Sequence, residues 1–313
     1  METDVVVSII CNTYNHEKYV ADALESFLMQ KTDFKYEVLV HDDASTDKTA
    51  DVIRQYEKKY PDIIKPIYQT ENQHSQKIPV MPTYQFPRVK GKYIAFCEGD
   101  DYWTDSSKLQ KQFDALEAHP EIDICAHTVT MVNADTKESI NEIKPSEKDC
   151  VFPLEEVVLG HGGFVGTNSL MYRAEINNDI PLFRKMYGLD YFLQLHGSLR
   201  GGMLYLADNM SSYRTAVTDS WTTRMFANID KYIHHFERLI LSLEELNRFT
   251  EFKYDEVIKK EILKTNYKIL YYKKDYSPML SPKYKELYKK TPFKTKLKLH
   301  FPVLEKIRDW IKK

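Results

Sequence analysis

Apolar, β-prone residues cluster in short runs at Val5–Cys11, Tyr36–Val40, Ile63–Tyr68 and Tyr93–Cys97. Runs of that length suit strands buried on both faces. Between them the period changes to that of a helix. Val20, Ala23, Leu24, Phe27 and Leu28 share one face of His16–Gln30, and a second helical stretch runs from Asp47 to Tyr60 with Pro61 beyond its end. The alternation predicts an α/β chain: a mostly parallel sheet with helices on both faces. Farther on, Ser106–Ala118 reads as a helix, Ile122–Val132 as a strand followed by a polar excursion to Asp149, and Thr167–Arg173 as a strand. Asp190–Leu199 reads as a helix and Met203–Ala207 as a short strand, and from Thr223 the pattern is helical to the end. The expected division is a sheet domain over residues 1–225 and a helical region over 226–313.

In such sheets ligands bind beyond the carboxyl ends of the strands. Asn12–Asn15, Asp42–Ser45 and Glu98–Asp101 all fall there, from three different strands. Their convergence is the main reason to expect a site.

Composition changes this picture little: 313 residues, 42% hydrophobic and 29% charged, suit a soluble α/β domain with an appendage. No stretch approaches the roughly twenty apolar residues of a membrane-spanning helix. Met1-Glu2-Thr3-Asp4 lacks the basic start of a secretory signal. The four cysteines, Cys11, Cys97, Cys125 and Cys150, lack metal-ligand spacing and are expected as free thiols in a reducing cytoplasm. Charge is more informative. The net −2 hides a tail, Lys253–Lys313, with 18 Lys and Arg against 7 Asp and Glu. A basic tail on an acidic body is expected to meet something anionic. No nucleic-acid-binding motif accompanies it, so an anionic membrane surface is the expected partner and nucleic acid is not. Solvated helix faces explain the same charges equally well.

The strand ends carry the chemistry. Glu98, Asp100 and Asp101 crowd into four residues after a buried strand, where they repel one another unless a cation sits among them. A hard divalent metal that also holds phosphates suits such oxygen donors; a solvated acidic turn is the bland alternative. The turn Cys11-Asn12-Thr13-Tyr14-Asn15 has no glycine, which argues against a P-loop or a dinucleotide fingerprint. An aromatic flanked by amides and a hydroxyl suits a nucleobase, although Asn15 also serves as a helix cap. Asp42 and Asp43 offer acceptors for the imide of uracil, whereas Asp47 is better read as a cap.

Together, Val7–Asn15, Val40–Thr49 and Gly91–Trp103 resemble the family 2 glycosyltransferases, whose nucleotide-sugar-binding fold is the Rossmann-like GT-A fold. The resemblance spans about residues 5–225. It implies nucleotide contacts from Thr13, Tyr14, Asn15, Asp42 and Asp43. The family's DxD motif maps to Glu98-Gly99-Asp100 with Asp101 following, which implies Mg2+ or Mn2+ on Asp100 and Asp101 and leaves Glu98 to the ribose or sugar. Glu98 departs from the usual Asp, and Ala44 stands where glycine is usual. Asp190, in Gly188-Leu189-Asp190-Tyr191-Phe192, corresponds to the family's catalytic base, a role compatible with capping its helix. Ser212-Tyr213-Arg214 resembles the segment after the last core strand. It implies that Arg214 offsets the diphosphate's charge, with Arg224 as another candidate, but Thr215–Thr218 lacks the histidine some members place there. Thr215–Met225, with Trp221, reads as a lid, and Gly160–Ser169, with His161, as acceptor-pocket lining.

The resemblance therefore implies an inverting glycosyltransferase. Its donor would be a nucleotide-diphosphate sugar, most simply a UDP-sugar, and its acceptor a saccharide or lipid-linked saccharide in bacterial capsule or O-antigen assembly. The enzyme would work in the cytoplasm, at the inner face of the membrane, with Phe301–Lys313 as an interfacial helix. Two alternatives remain: a sugar nucleotidyltransferase, which would want a Gly-rich basic loop after the first strand, and a degenerate non-catalytic sugar-nucleotide-binding protein.

Overall fold

The computed structural model describes residues 5–187, 190–215 and 228–300. Backbone packing divides the chain into two units, one from Met1–Arg184 with Gly188–Thr218, the other from Lys185–Tyr187 with Asp219–Lys313. The expected boundary at 225/226 lies outside the described residues.

The first unit opens with β1 (Val5–Thr13), α1 (Val20–Leu28), β2 (Lys35–Asp42), α2 (Thr49–Lys59), β3 (Ile64–Tyr68) and β4 (Tyr93–Phe96). β3, β2, β1 and β4 lie side by side in that order, all parallel. Val7, Ile9, Ile10 and Cys11 of β1 are fully buried, as are Val20, Ala23, Leu24 and Phe27 along one stripe of α1. That burial, rather than intrinsic propensity, supplies most of the stabilisation of both elements. Between β3 and β4 the chain makes a short π-helical turn, Met81–Gln85, then a 3-10 turn, Phe86–Arg88.

Next come β5 (Tyr102–Trp103), α3 (Lys108–Ala118), β6 (Ile124–Asn133), β7 (Ser139–Ile143), β8 (Cys150–Phe152), α4 (Leu154–Gly160), β9 (Met171–Arg173), α5 (Leu182–Tyr187), α6 (Asp190–Gly197) and β10 (Met203–Thr215). The sheet turns mixed here: β9 runs antiparallel to both β4 and β6, while β10 runs parallel to β6 and antiparallel to β5 and β8. The α/β class holds, with its parallel half at β3-β2-β1-β4.

Three local expectations are corrected. Thr167–Ser169 is a 3-10 turn, so the strand is only Met171–Arg173. The polar excursion contains β7, hairpinned on β6. β10 continues eight residues past Ala207, because it pairs along β6 to Asn133 and irregularities at Leu206–Ser211 break the apolar alternation that sequence reading relies on.

The second unit carries helices Ile229–Phe249 and Asp255–Tyr272. Asn228 caps the first by accepting the Lys231 N–H at 3.0 Å. Shorter helices, Lys285–Lys290 and Phe293–His300, follow, with Leu299 packed near Tyr276 and Met279. No helix among the described residues is long and apolar enough to cross a membrane. Cys11, Cys97 and Cys125 are buried, Cys150 is half-buried, and all four are free thiols.

Candidate active site

Because β1, β2 and β4 are parallel, their carboxyl ends share one edge, and the turns beyond them are laced together. The Asp43 N–H donates to the Thr13 carbonyl at 2.9 Å, and the Gly99 N–H donates to the Asn12 carbonyl at 3.0 Å. The second contact needs glycine: a Cβ at residue 99 would sit 2.5 Å from Thr13 Cγ2.

On the side expected to hold the base, Thr13 and Asp42 are buried and joined, Thr13 Oγ1 donating to Asp42 Oδ1 at 3.3 Å. Asp42 also accepts the Ser45 hydroxyl at 2.5 Å. Tyr14 is 39% exposed, which leaves ring surface open for stacking. Asn15, at φ 55°, does not cap α1. Instead its N–H donates to Ser45 Oγ at 3.0 Å and its side-chain oxygen accepts the Thr46 N–H at 2.8 Å, fastening the first turn to the second. Asp47, expected as the cap, lies one residue before the N-cap position Lys48 and still braces the start of α2 by accepting the Thr49 N–H at 2.9 Å. Asp43 is placed differently from the expected nucleotide contact. Its buried carboxylate accepts the backbone N–H groups of Gln73 at 2.7 Å and His74 at 3.1 Å, so it organises that loop.

The acidic turn separates its three carboxylates into different surroundings. Asp101 is buried and accepts the Arg214 backbone N–H at 2.8 Å. Burial first, and Asp100 second, hold its carboxyl well above the usual range. It points away from solvent, a more enclosed setting than that of Asp100, the other acid expected at the metal. Glu98 is exposed, and its carboxyl is pushed up by desolvation from the surrounding protein, then by Asp100 and by Asp190. Asp100 is half-buried, and its Oδ2 lies 3.9 Å from His16 Nε2.

Arg214 is likewise turned inward. Its guanidinium lies between the rings of Tyr19 (5.1 Å) and Tyr102 (4.5 Å). It donates to the Asp100 carbonyl at 2.6 Å and pairs with the Asp22 carboxylate. With its side chain fully enclosed, the guanidinium expected to offset a diphosphate's charge grips the backbone of the acidic turn. The neighbouring Tyr213 faces the cluster: burial, then Asp101, Asp100, Glu98 and Asp190, all raise its hydroxyl pKa.

Asp190 begins α6. Its Oδ1 accepts the Tyr191 N–H at 2.7 Å, and its Oδ2 accepts the Thr167 hydroxyl. Burial pushes its carboxyl up while those two bonds pull it back. A Cβ on Gly162 would lie 4.0 Å from Asp190 Oδ1, so the glycine-rich stretch does approach this carboxylate. His161 stacks on Tyr191, ring centres 5.6 Å apart. Gly188, Leu189 and the expected lid beyond Thr215, with Trp221 and Arg224, lie outside the described residues.

The donor set suits a hard cation. Glu98, Asp100 and Asp190 offer oxygen donors, and the charges of Asp100 and Asp190 make it costlier for Glu98 to ionise, although no group of three or more metal-ligating side chains is assembled among the described residues. Mg2+ and Mn2+ fit that arrangement, because they take one or two carboxylates and fill the shell with water and phosphate.

Sequence reading overlooked His16, Tyr213 and Thr167. Tyr213 and Thr167 had no signal beyond lying in segments already marked, since their distance from Glu98 and Asp190 along the chain hides the contact. His16 follows directly on the first turn, a position that could have raised it.

The model of glycosyl transferase family 2 matches residues 8–178. A protein of Mycobacterium tuberculosis, named only as uncharacterized, is 34% identical over 225 residues, covering 69% of this chain and 60% of its own length. A poly(ribitol-phosphate) beta-glucosyltransferase of Bacillus spizizenii is 35% identical over 99 residues, 31% of this chain and 15% of that one. Among solved structures, Staphylococcus aureus TarS 1-349 in complex with UDP shares the fold with a TM-score of 0.55 at 18% identity, over 80% of this chain and 73% of that one. The chain thus spans about three-fifths of the mycobacterial relative and far less of the Bacillus one. The family match extends over more than half of the 313 residues and includes all three strand-end turns: the chain belongs to glycosyltransferase family 2.

Proposed function

We propose that the protein is an inverting glycosyltransferase that moves a sugar from a nucleotide-diphosphate donor, a UDP-sugar, to a hydroxyl of a saccharide or lipid-linked saccharide. The observation that carries this reading is the lacing of the turns after β1, β2 and β4 into one edge that presents Tyr14, Asp42, Glu98 and Asp100, with Asp190 of α6 near enough for its charge to raise the Glu98 carboxyl. Tyr14 offers a stacking face for the base, with Thr13 and Asp42 shaping the floor beneath it. Asp100 is assigned to the cation and diphosphate. Bound Mg2+ or Mn2+ would supply charge neutralisation to the leaving diphosphate. Asp190 is the general base. It takes the proton of the acceptor hydroxyl as that oxygen bonds to the anomeric carbon, while the bond from that carbon to the diphosphate oxygen breaks on the opposite face. One displacement inverts the configuration. Partial burial raises the basicity of Asp190, and Thr167 with the Tyr191 N–H fixes its orientation. Asp43, Asn15, Asp101 and Arg214 act through the backbone they hold.

The UDP of the TarS complex and the poly(ribitol-phosphate) in the Bacillus relative's name support a uridine donor and an acceptor in bacterial surface polysaccharide assembly. The second unit supports a place at the inner face of the cell membrane: Phe293 is 74% exposed, Leu297 lies one turn on, and Lys290, Lys294 and Lys298 flank them. Titration calorimetry with UDP, with and without Mn2+, tests the central reading. Cation-dependent binding is expected, and no binding of any nucleoside diphosphate under either condition overturns it.

A further inference from the structure

His16 is the first residue past the β1 turn, and three contacts fix its ring beside Asp100. Its backbone N–H donates to Thr49 Oγ1 at 2.7 Å. Its ring meets the edge of Tyr19 at 6.5 Å. Its Nδ1 is packed on Gly99, where an added Cβ would come within 3.0 Å, and that nitrogen is buried with no hydrogen-bond partner among the described residues. A buried N–H left unpaired loses its full hydration, whereas an unpaired acceptor against a Cα–H loses much less. The ring proton therefore belongs on Nε2. Nε2 points to the Asp100 side, 3.9 Å from Oδ2. That separation is too long for a hydrogen bond. The result is a partly exposed donor, not spent on Asp100, next to the carboxylate assigned to the cation and diphosphate.

We propose that His16 contacts the donor's diphosphate, its Nε2–H donating to an oxygen of the distal phosphate. The inference rests on the nucleotide-sugar reading given above and adds a residue to it. Thr215–Thr218 supplies no histidine and the Arg214 guanidinium is enclosed, so His16 is a nitrogen donor that the described residues do bring to this edge. The glycine at 99 then has two reasons: it lets the β1 and β4 turns meet, and it leaves room for the imidazole's Nδ1 edge against the turn.

The test compares uridine, UMP and UDP on the full chain by calorimetry with Mn2+, for the wild type, His16→Ala and His16→Gln, with circular dichroism to confirm folding. His16→Ala should weaken UDP about tenfold, the size of one hydrogen bond to a charged group. Uridine and UMP should bind as before, and His16→Gln, which keeps an N–H, should recover part of the loss. The 31P resonance of the distal phosphate should move between wild-type and His16→Ala complexes more than that of the proximal one. Equal losses for uridine, UMP and UDP would make His16 a structural support of the turn and overturn the proposal, as would unchanged UDP binding. Failure of the wild type to bind any of the three would instead sink the nucleotide-sugar reading itself.

Discussion

The backbone N–H of Arg214 donates to the Asp101 carboxylate at 2.8 Å, joining two residues 113 positions apart and setting the end of β10 against the acidic turn after β4. The same arginine holds the Asp100 carbonyl and reaches Asp22 of α1. One buried side chain thus fixes where Asp100 can point.

Arg214→Ala leaves Asp22 with only Lys137 as ionic partner, the Asp100 carbonyl without its donor and the space between the rings of Tyr19 and Tyr102 empty. A loss of about 1–3 kcal/mol is expected, read as a shift in the urea midpoint. UDP affinity should fall with it, because the Asp100 backbone loses its tether. Arg214→Lys should rescue little, since a lysine cannot make both planar contacts.

Asp190→Asn should abolish transfer while UDP binding stays within about twofold, since the amide keeps its place at the helix start but accepts no proton. Transfer at near the wild-type rate would move the base elsewhere. The pH profile carries a sign as well. Burial raises the Asp190 carboxyl above the ordinary value, so the acid limb of kcat should lie above the usual pKa of about 3.9, with activity falling as pH drops through the raised value. The ionised form is the disfavoured one in the fold, so Asp190→Asn should not lower the melting temperature at neutral pH.

Gly99→Ala puts a methyl 2.5 Å from Thr13 Cγ2. The turns after β1 and β4 must then part, at a cost of about 1–3 kcal/mol in stability. UDP affinity should drop more than tenfold while far-ultraviolet circular dichroism is retained. Unaltered affinity would mean that the two turns do not act as one site.

Lys108 tests a feature unrelated to catalysis. Its side chain is fully buried, with Nζ 3.9 Å from the ring centre of Trp103 and no hydrogen-bond partner among the described residues. Burial pushes its amine down to about 7. Unfolded, the amine titrates near 10.4. Between those values the unfolded chain binds more protons than the folded one, so this group makes stability rise as pH climbs from about 7 toward 10. The penalty is fully present below pH 7. Lys108→Met should stabilise the protein by about 1–2 kcal/mol at pH 7 and remove that part of the slope, measured as urea midpoints of both proteins across the range.

Phe293→Ala with Leu297→Ala should weaken flotation with vesicles containing anionic lipid, and high salt should weaken it further. Unchanged flotation of the variant would direct the basic region to a protein partner.

Much of the site was legible in the sequence, for a definite reason. β1, β2 and β4 are buried on both faces, so their apolar runs are unbroken and stop where the chain meets solvent. Thr13, Asp42 and Glu98 therefore announce themselves as strand-end residues, and parallel pairing puts them on one edge. α1 is equally plain, since Val20, Ala23, Leu24 and Phe27 repeat at the spacing of one buried stripe. The second half of β10 was not legible. Asp208–Thr215 is polar, and its polar groups are satisfied by distant partners, such as Asn209 on the Thr130 hydroxyl and the Ser212 carbonyl on Asn168.

The sequence by itself determined the parallel α/β order, the edge that carries the candidate site and the identity of the acids presented there. Those follow from local period and from residue type, which nearest neighbours along the chain already specify. Tertiary structure alone decided which acids are open. Asp100 and Asp101 are adjacent in sequence and chemically identical, yet one lies beside His16 near solvent and the other is buried on the Arg214 backbone. That difference arises from a strand more than a hundred residues away, and burial by a distant segment leaves no mark on the local sequence.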